Sequence, residues 1–236
     1  MPGAPPASDG DELVLSIAGV TARPTDDPSQ LDIEINSSRG VIRAHLHPCP
    51  GRTGCAVFVG GAAGGVEGPA NGVYARLARD LVAAGVTSLR VEYRQPNELT
   101  ECVLDALGAC SVLRGIGGER IVLVGHSFGG AVAIKAGGLS PAVSAVAALS
   151  SQRFGTAEVG ALGKPLLLVH GSADEVLLPQ ASEDIYSRAG EPKRLVILEG
   201  AGHGLREAAE EVYRLLDGFI REHAAEPERG GGVRRA

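Results

Sequence analysis

Residues 120–134, Arg-Ile-Val-Leu-Val-Gly-His-Ser-Phe-Gly-Gly-Ala-Val-Ala-Ile, decide how this chain is read. Arg120 to Val124 is a short apolar run with strand character, and Gly130 to Ile134 is a small-residue helix pattern. Between them stands Gly125-His126-Ser127-Phe128-Gly129, a G-x-S-x-G. Strand, G-x-S-x-G and helix in that order spell a nucleophile elbow, a sharp turn that holds its serine in a strained backbone geometry. Glycine on either side of the serine leaves room for the helix to pack close against the strand.

A serine hydroxyl is a poor nucleophile at neutral pH and needs an adjacent base, which in turn needs an orienting carboxylate. Both types occur downstream in matching contexts. Pro165-Leu166-Leu167-Leu168-Val169-His170 reads as a buried parallel strand and runs into Gly171-Ser172-Ala173-Asp174. Arg194 to Leu198 reads as the next strand and runs into Glu199-Gly200-Ala201-Gly202-His203-Gly204, with a helix pattern from about Leu205. Asp174 and His203 therefore fall on loops just past strand carboxyl ends, where open α/β sheets place their sites. Taken singly, Ser127 reads as a turn serine, Asp174 as a helix cap and His203 as a solvated loop residue. Together, on one sheet edge and in the order Ser127, Asp174, His203, they read as a triad.

From about Leu31 to Arg221 the chain resembles small α/β-hydrolases of the dienelactone-hydrolase-like or carboxylesterase-like type. The matching stretches are GHSFGG at 125–130, HGSAD at 170–174 and GAGHG at 200–204. The resemblance implies that Ser127 attacks a carbonyl, His203 relays the proton and Asp174 holds the imidazole. It also implies an oxyanion hole made of two backbone N–H groups. One belongs to Phe128, the residue after the serine. The other belongs to the loop Gly60-Gly61-Ala62-Ala63-Gly64-Gly65 that follows the strand Cys55 to Val59, with Ala62 first and Gly61 as the alternative. Many relatives carry histidine where Gly60 stands, a departure that leaves the backbone role intact and the register open. A phosphate-binding reading of this glycine loop would call for a G-K-[ST] ending or a dinucleotide fingerprint, and the loop holds no lysine.

The rest of the chain fits one α/β domain over residues 11–223, with tails at 1–10 and 224–236. Strands alternating with helices give a mainly parallel sheet with helices on both faces. Leu31 to Ile35 and Ile42 to His47 alternate with period two around Ser37-Ser38-Arg39-Gly40 and read as an antiparallel N-terminal hairpin at one sheet edge. Leu13 to Ile17 reads as an extra edge strand. His45 and His47 then share one strand face, without an apparent third metal ligand, and read as solvent-facing. Helices are expected over about 70–84, ending at Gly85, and over about 98–114. Only residues 151–164 separate the strand ending near Ser150 from the next, against a usual crossover of about 10–12 residues. That leaves room for a short helix around Thr156–Leu162 and none for a cap domain, so the site is expected to be open.

Apolar residues make up 44% of the chain, Trp is absent and the net charge is −6. No broad basic surface for nucleic acid follows from that charge, and no apolar run is long enough to span a membrane. The start of the chain, Pro-rich and acidic, lacks the pattern of a secretory signal. Cys49, Cys55, Cys102 and Cys110 show no metal spacing; Cys102 and Cys110 stand two helical turns apart, roughly 12 Å, too far to bridge. Free thiols in a reducing cytoplasm are the expectation.

For substrate contacts, Phe128, Phe154, Leu177, Leu178 and Leu205 are the apolar candidates on the carboxyl-edge loops. Arg94 and Arg153, each following a strand, are candidates to clamp a substrate carboxylate. The resulting expectation is a cofactor-independent, metal-free hydrolase of small soluble esters or thioesters. The alternatives are a peptidase or amidase, a dienelactone-type hydrolase, or a ligand-binding regulatory protein that keeps the triad. No oligomeric state follows from the sequence.

Overall fold

The computed structural model describes residues 14–224. The expected tails at 1–10 and 224–236 lie outside the described residues except for Ala224, which closes the last helix. Nine strands form one sheet: β1 (Ile17–Pro24), β2 (Leu31–Ser37), β3 (Gly40–His47), β4 (Gly54–Val59), β5 (Val86–Glu92), β6 (Arg120–His126), β7 (Val143–Leu149), β8 (Leu166–Gly171) and β9 (Lys193–Leu198). Their order across the sheet is β1-β2-β3-β5-β4-β6-β7-β8-β9. The first three run antiparallel and join β5 antiparallel; every pair from β5 to β9 is parallel. The inner strands are continuous apolar runs because both of their faces are covered.

Helices α1 (Pro69–Ala83) and α5 (Ala209–Ala224) cover one face, and α2 (Leu99–Gly115), α3 (Phe128–Leu139) and α4 (Gln180–Arg188) the other. The chain leaves β4 toward β5 and then crosses back past β4 to β6. The loops after β4 and β6 therefore diverge at a topological switch point, where a crevice opens at the carboxyl edge. Residues 151–164 hold only a 3-10 turn, Ala157–Ala161, and no cap domain covers that edge. No helix among the described residues is long and apolar enough to cross a membrane.

Three local expectations need correction. Of the expected edge strand Leu13–Ile17, Leu13 lies outside the described residues, residues 14–16 are not strand, and the strand begins at Ile17; the β2–β3 hairpin lies one strand in from the edge. β1 carries little alternation because its residues are almost all solvent-exposed. Helix α4 gave no signal in the sequence, since only Ser182 and Ile185 of its residues are buried. The third correction is His47, which is fully buried rather than solvent-facing; His45, its neighbour on the same face, is half-buried against Asp32 and Gln30. The cysteines are free, and burial pushes the Cys55, Cys102 and Cys110 thiols up to about 12.

His47 makes the fold acid-sensitive. Neither ring nitrogen has a hydrogen-bond partner among the described residues. Burial, with the Arg90 cation beside it, pushes its pKa down from 6.5 to about 4. The unfolded chain thus binds a proton that the folded ring refuses between those values. This contribution is intact above pH 6.5 and is lost as pH falls toward 4, by on the order of 2–3 kcal/mol. Thermal melts from pH 7 to pH 4 should show a falling midpoint, and His47→Leu should flatten that fall. Parallel curves for the two proteins would remove His47 from the account.

Candidate active site

The elbow sets the geometry. Ser127 sits between β6 and α3 with φ 58° and ψ −118°, a left-handed conformation rare for a residue with a side chain. Its backbone is tied on both sides: its N–H donates to Leu149 O at 2.8 Å, and its carbonyl accepts from Gly130 at 3.0 Å and Gln152 at 3.3 Å. The glycines around it are steric requirements. A Cβ on Gly129 would fall 2.9 Å from Val59 O and closer still to Gly60 O, and one on Gly125 would enter the backbone of Gly129.

Three loops converge on the serine. His203 Nε2 lies 3.1 Å from Ser127 Oγ, and His203 Nδ1 lies 2.8 Å from Asp174 Oδ2. With a carboxylate accepting at Nδ1, that nitrogen carries the ring proton and Nε2 is left to accept from the serine hydroxyl. Asp174 is buried, and its Oδ1 accepts the N–H groups of Val176 and Leu177, each at 2.9 Å. Burial alone would raise its pKa; the hydrogen bonds from His203, Leu177 and Val176 outweigh that and hold the carboxyl below its ordinary value. The His203 loop is pinned at its base, where Ala173 N–H donates to Ala201 O at 3.0 Å.

A cleft of about 650 Å³ opens over Ser127 and His203. Its walls are mostly backbone: Gly60 to Gly65 on one side, Gly68 to Gly72 on another, and Gly204 below. Gly61 and Ala62 both line it beside Ser127, and Gly64 N–H donates to Gly61 O at 2.9 Å to hold the loop's turn. The Phe128 N–H stands at the first position of α3, where a helix leaves its donors without intrahelical partners. Tyr93 supports this loop from beneath, its hydroxyl donating to Gly60 O at 3.2 Å. Ala70, Asn71 and Gly72 form a left-handed turn at the rim, so regular helix begins only at Val73. Ala70 N–H donates to Gly204 O at 2.7 Å and joins that rim to the His203 loop. A larger groove, about 810 Å³, lies between α5 and the starts of β8 and β9 and contains no serine.

The expected substrate contacts are mostly elsewhere. The Phe128 ring is core, edge-on to Tyr93 with ring centroids 6.2 Å apart, and Leu205 is buried under α1 and α5. Phe154 and Leu178 are exposed and do not line the cleft. Leu177 serves through its backbone, as a donor to Asp174. Arg94 is buried in ion pairs with Asp105 and Glu101 of α2, which occupy its guanidinium and leave no clamp for a substrate. Arg153 is exposed on the loop after β7, away from the cleft lining.

Four polar residues that sequence reasoning missed line it: Glu67, which pairs with Arg90 at 2.7 Å, Asn71, Arg206 and His126. Arg206 stands at the rim with no side-chain hydrogen bond or ion pair among the described residues. His126, the second letter of the elbow, has its Nε2 3.0 Å from the His203 carbonyl, which makes that nitrogen the donor. Burial pushes the His126 pKa down to about 4, so the ring is neutral at physiological pH.

Comparison with known proteins agrees with this architecture. The solved dienelactone hydrolase from Anabaena variabilis ATCC 29413 superposes with a TM-score of 0.74 at 20% identity, over 83% of this chain and 98% of that one. Est1E from Butyrivibrio proteoclasticus superposes with a TM-score of 0.70 at 17% identity, over 89% of this chain and all of that one. At such identities these likenesses establish the fold. A curated relative, the uncharacterized protein YfhR of Escherichia coli (strain K12), is 54% identical over 39 residues, which are 16% of this chain and 14% of that protein. The model of the dienelactone hydrolase family matches residues 72–228, from the rim turn of α1 past the end of α5. With the elbow and the three converging loops on that span, the chain belongs to the dienelactone hydrolase family of α/β-hydrolases.

Proposed function

We propose that this chain is a serine esterase acting on small, polar esters or thioesters through an acyl-enzyme on Ser127. The observation that carries the reading is the continuous chain of contacts Asp174 Oδ2–His203–Ser127 Oγ, at 2.8 and 3.1 Å, opening into the glycine-walled cleft. His203 Nε2 takes the hydroxyl proton as Oγ attacks the carbonyl carbon. The oxyanion is met by the N–H groups of Phe128 and Ala62, with Gly61 as the neighbouring alternative. Collapse of the tetrahedral intermediate breaks the bond to the alcohol or thiol, which leaves with the proton from His203. Water then attacks the acyl carbon, giving its proton to His203, and the acid departs as Oγ is reprotonated.

The cleft wall supports the substrate class. Its apolar side chains are no larger than Val66 and Pro69, so nothing there would grip a long acyl chain. Arg206 lines the same cleft as His203, with Glu207 as its charged neighbour, and favours a substrate carrying a carboxylate.

A p-nitrophenyl ester series tests both points. Turnover should fall from acetyl and butyryl toward palmitoyl, and the hemisuccinate should show a lower KM than the butyrate. Arg206→Ala should raise the hemisuccinate KM roughly 10-fold, a loss on the order of 1.4 kcal/mol, and leave the butyrate unchanged. Preference for palmitoyl, or equal effects on both esters, would reject this substrate class.

A further inference from the structure

We propose that His170 is a positioning residue for Asp174, an inference that rests on the esterase reading above. β8 is otherwise a run of Leu and Val, and His170 near its end is fully buried. A buried imidazole is costly unless its nitrogens are partnered, and both are. Nε2 lies 2.8 Å from Leu177 O, a carbonyl that can only accept, so Nε2 carries the proton. Nδ1 of the neutral ring then accepts from the Ser182 hydroxyl of α4, 2.7 Å away.

These contacts act on Asp174 in two ways. By holding the Leu177 carbonyl, His170 fixes the turn whose Val176 and Leu177 N–H groups occupy Asp174 Oδ1. That leaves Oδ2 to face His203. The same Nε2 also lies 3.1 Å from Oδ2, the oxygen that accepts from His203. Its N–H edge is positive and favours the carboxylate over the acid. The titratable groups around this carboxylate are His203, His170 and, across the elbow, His126. Without His170, Asp174 becomes both less fixed and more basic. A more basic partner makes the His203 imidazole harder to deprotonate, so activity should appear at higher pH.

The test compares His170→Phe, which removes both hydrogen-bonding atoms, with His170→Gln, which can keep a donor near the Nε2 position. Titration with a fluorophosphonate counts competent sites, so rates are expressed per reactive serine and misfolded protein drops out. The Phe variant should lose kcat roughly 10- to 100-fold, as for other supports of functional residues. Its KM should hold, and the acid limb of kcat/KM should move to higher pH. The Gln variant should recover most of the rate and the original limb. If the Phe variant does not fold, Ser182→Ala, which releases Nδ1, should give a smaller loss in the same direction.

An unmoved limb with wild-type kcat per site, or a Gln variant as impaired as Phe, would reduce His170 to packing and overturn the proposal. Failure of the esterase reading itself would look different: wild-type ester turnover would survive Ser127→Ala.

Discussion

Ser127→Ala should lower kcat on p-nitrophenyl acetate by roughly 10⁴- to 10⁶-fold while the protein stays folded. The hydroxyl is the only atom lost, and the alanine inherits the same backbone, tied to Leu149, Gly130 and Gln152. The rate that remains should exceed that in water, because the oxyanion donors and the cleft are untouched. On the proposed mechanism His203 and Asp174 act on the serine as one unit, so His203→Ala should cost about as much, and the double variant little more. Stopped assays at high enzyme concentration, with melting curves as the folding control, make the measurement. Retention of more than about a tenth of wild-type kcat would place the chemistry on another residue.

Gly129→Ala should be among the most damaging single methyls in the described residues. The added carbon meets backbone on the far side, Val59 O at 2.9 Å and Gly60 O nearer; Val59 is locked into the sheet between β5 and β6, and Gly60 follows it directly. Relief requires moving α3 away from β4, which opens the core beneath Ser127. The loss should exceed about 4 kcal/mol, a large share of a domain's usual 5–15 kcal/mol. Soluble yield and denaturant midpoint would report it. The contrast is Gly138→Ala, nine residues along the same helix, where nothing outside its own helix turn lies within 4 Å of the new carbon. That change should stabilise by about 0.5–1 kcal/mol, the ordinary helix preference for alanine over glycine. A stable Gly129→Ala would show that the elbow yields where the packing says it cannot.

The Ser127, Asp174 and His203 positions were legible because each loop follows an apolar run that can only be an inner parallel strand. Strand ends in such a sheet are placed by topology, so the sequence order of the loops carries spatial information. What was hidden depended on distant partners. Arg94 read as an exposed clamp because its carboxylates, Asp105 and Glu101, arrive from α2. Arg206 drew no reading because the left-handed Leu205 before it, which turns the chain at the rim, has no local sequence mark. His170 was submerged in an apolar strand pattern, and its partners come from the turn after Asp174 and from α4, a helix with almost no apolar stripe. Periodicity locates elements well. It carries no information on which polar side chains from separate elements will satisfy one another.

The bare carboxyl edge, with only a 3-10 turn across residues 151–164, has a kinetic meaning. Enzymes with lids often wait on their opening to discharge product. Among the described residues no inserted domain stands over the cleft, so the proposed reading expects substrate exchange to follow diffusion and contacts in the cleft. An acyl group on Ser127 would face bulk water throughout its lifetime. Competing acceptors, such as alcohols or amines, would have no dry chamber in which to prevail. On the proposed esterase reading, this open edge favours water over other acceptors as the fate of the acyl group.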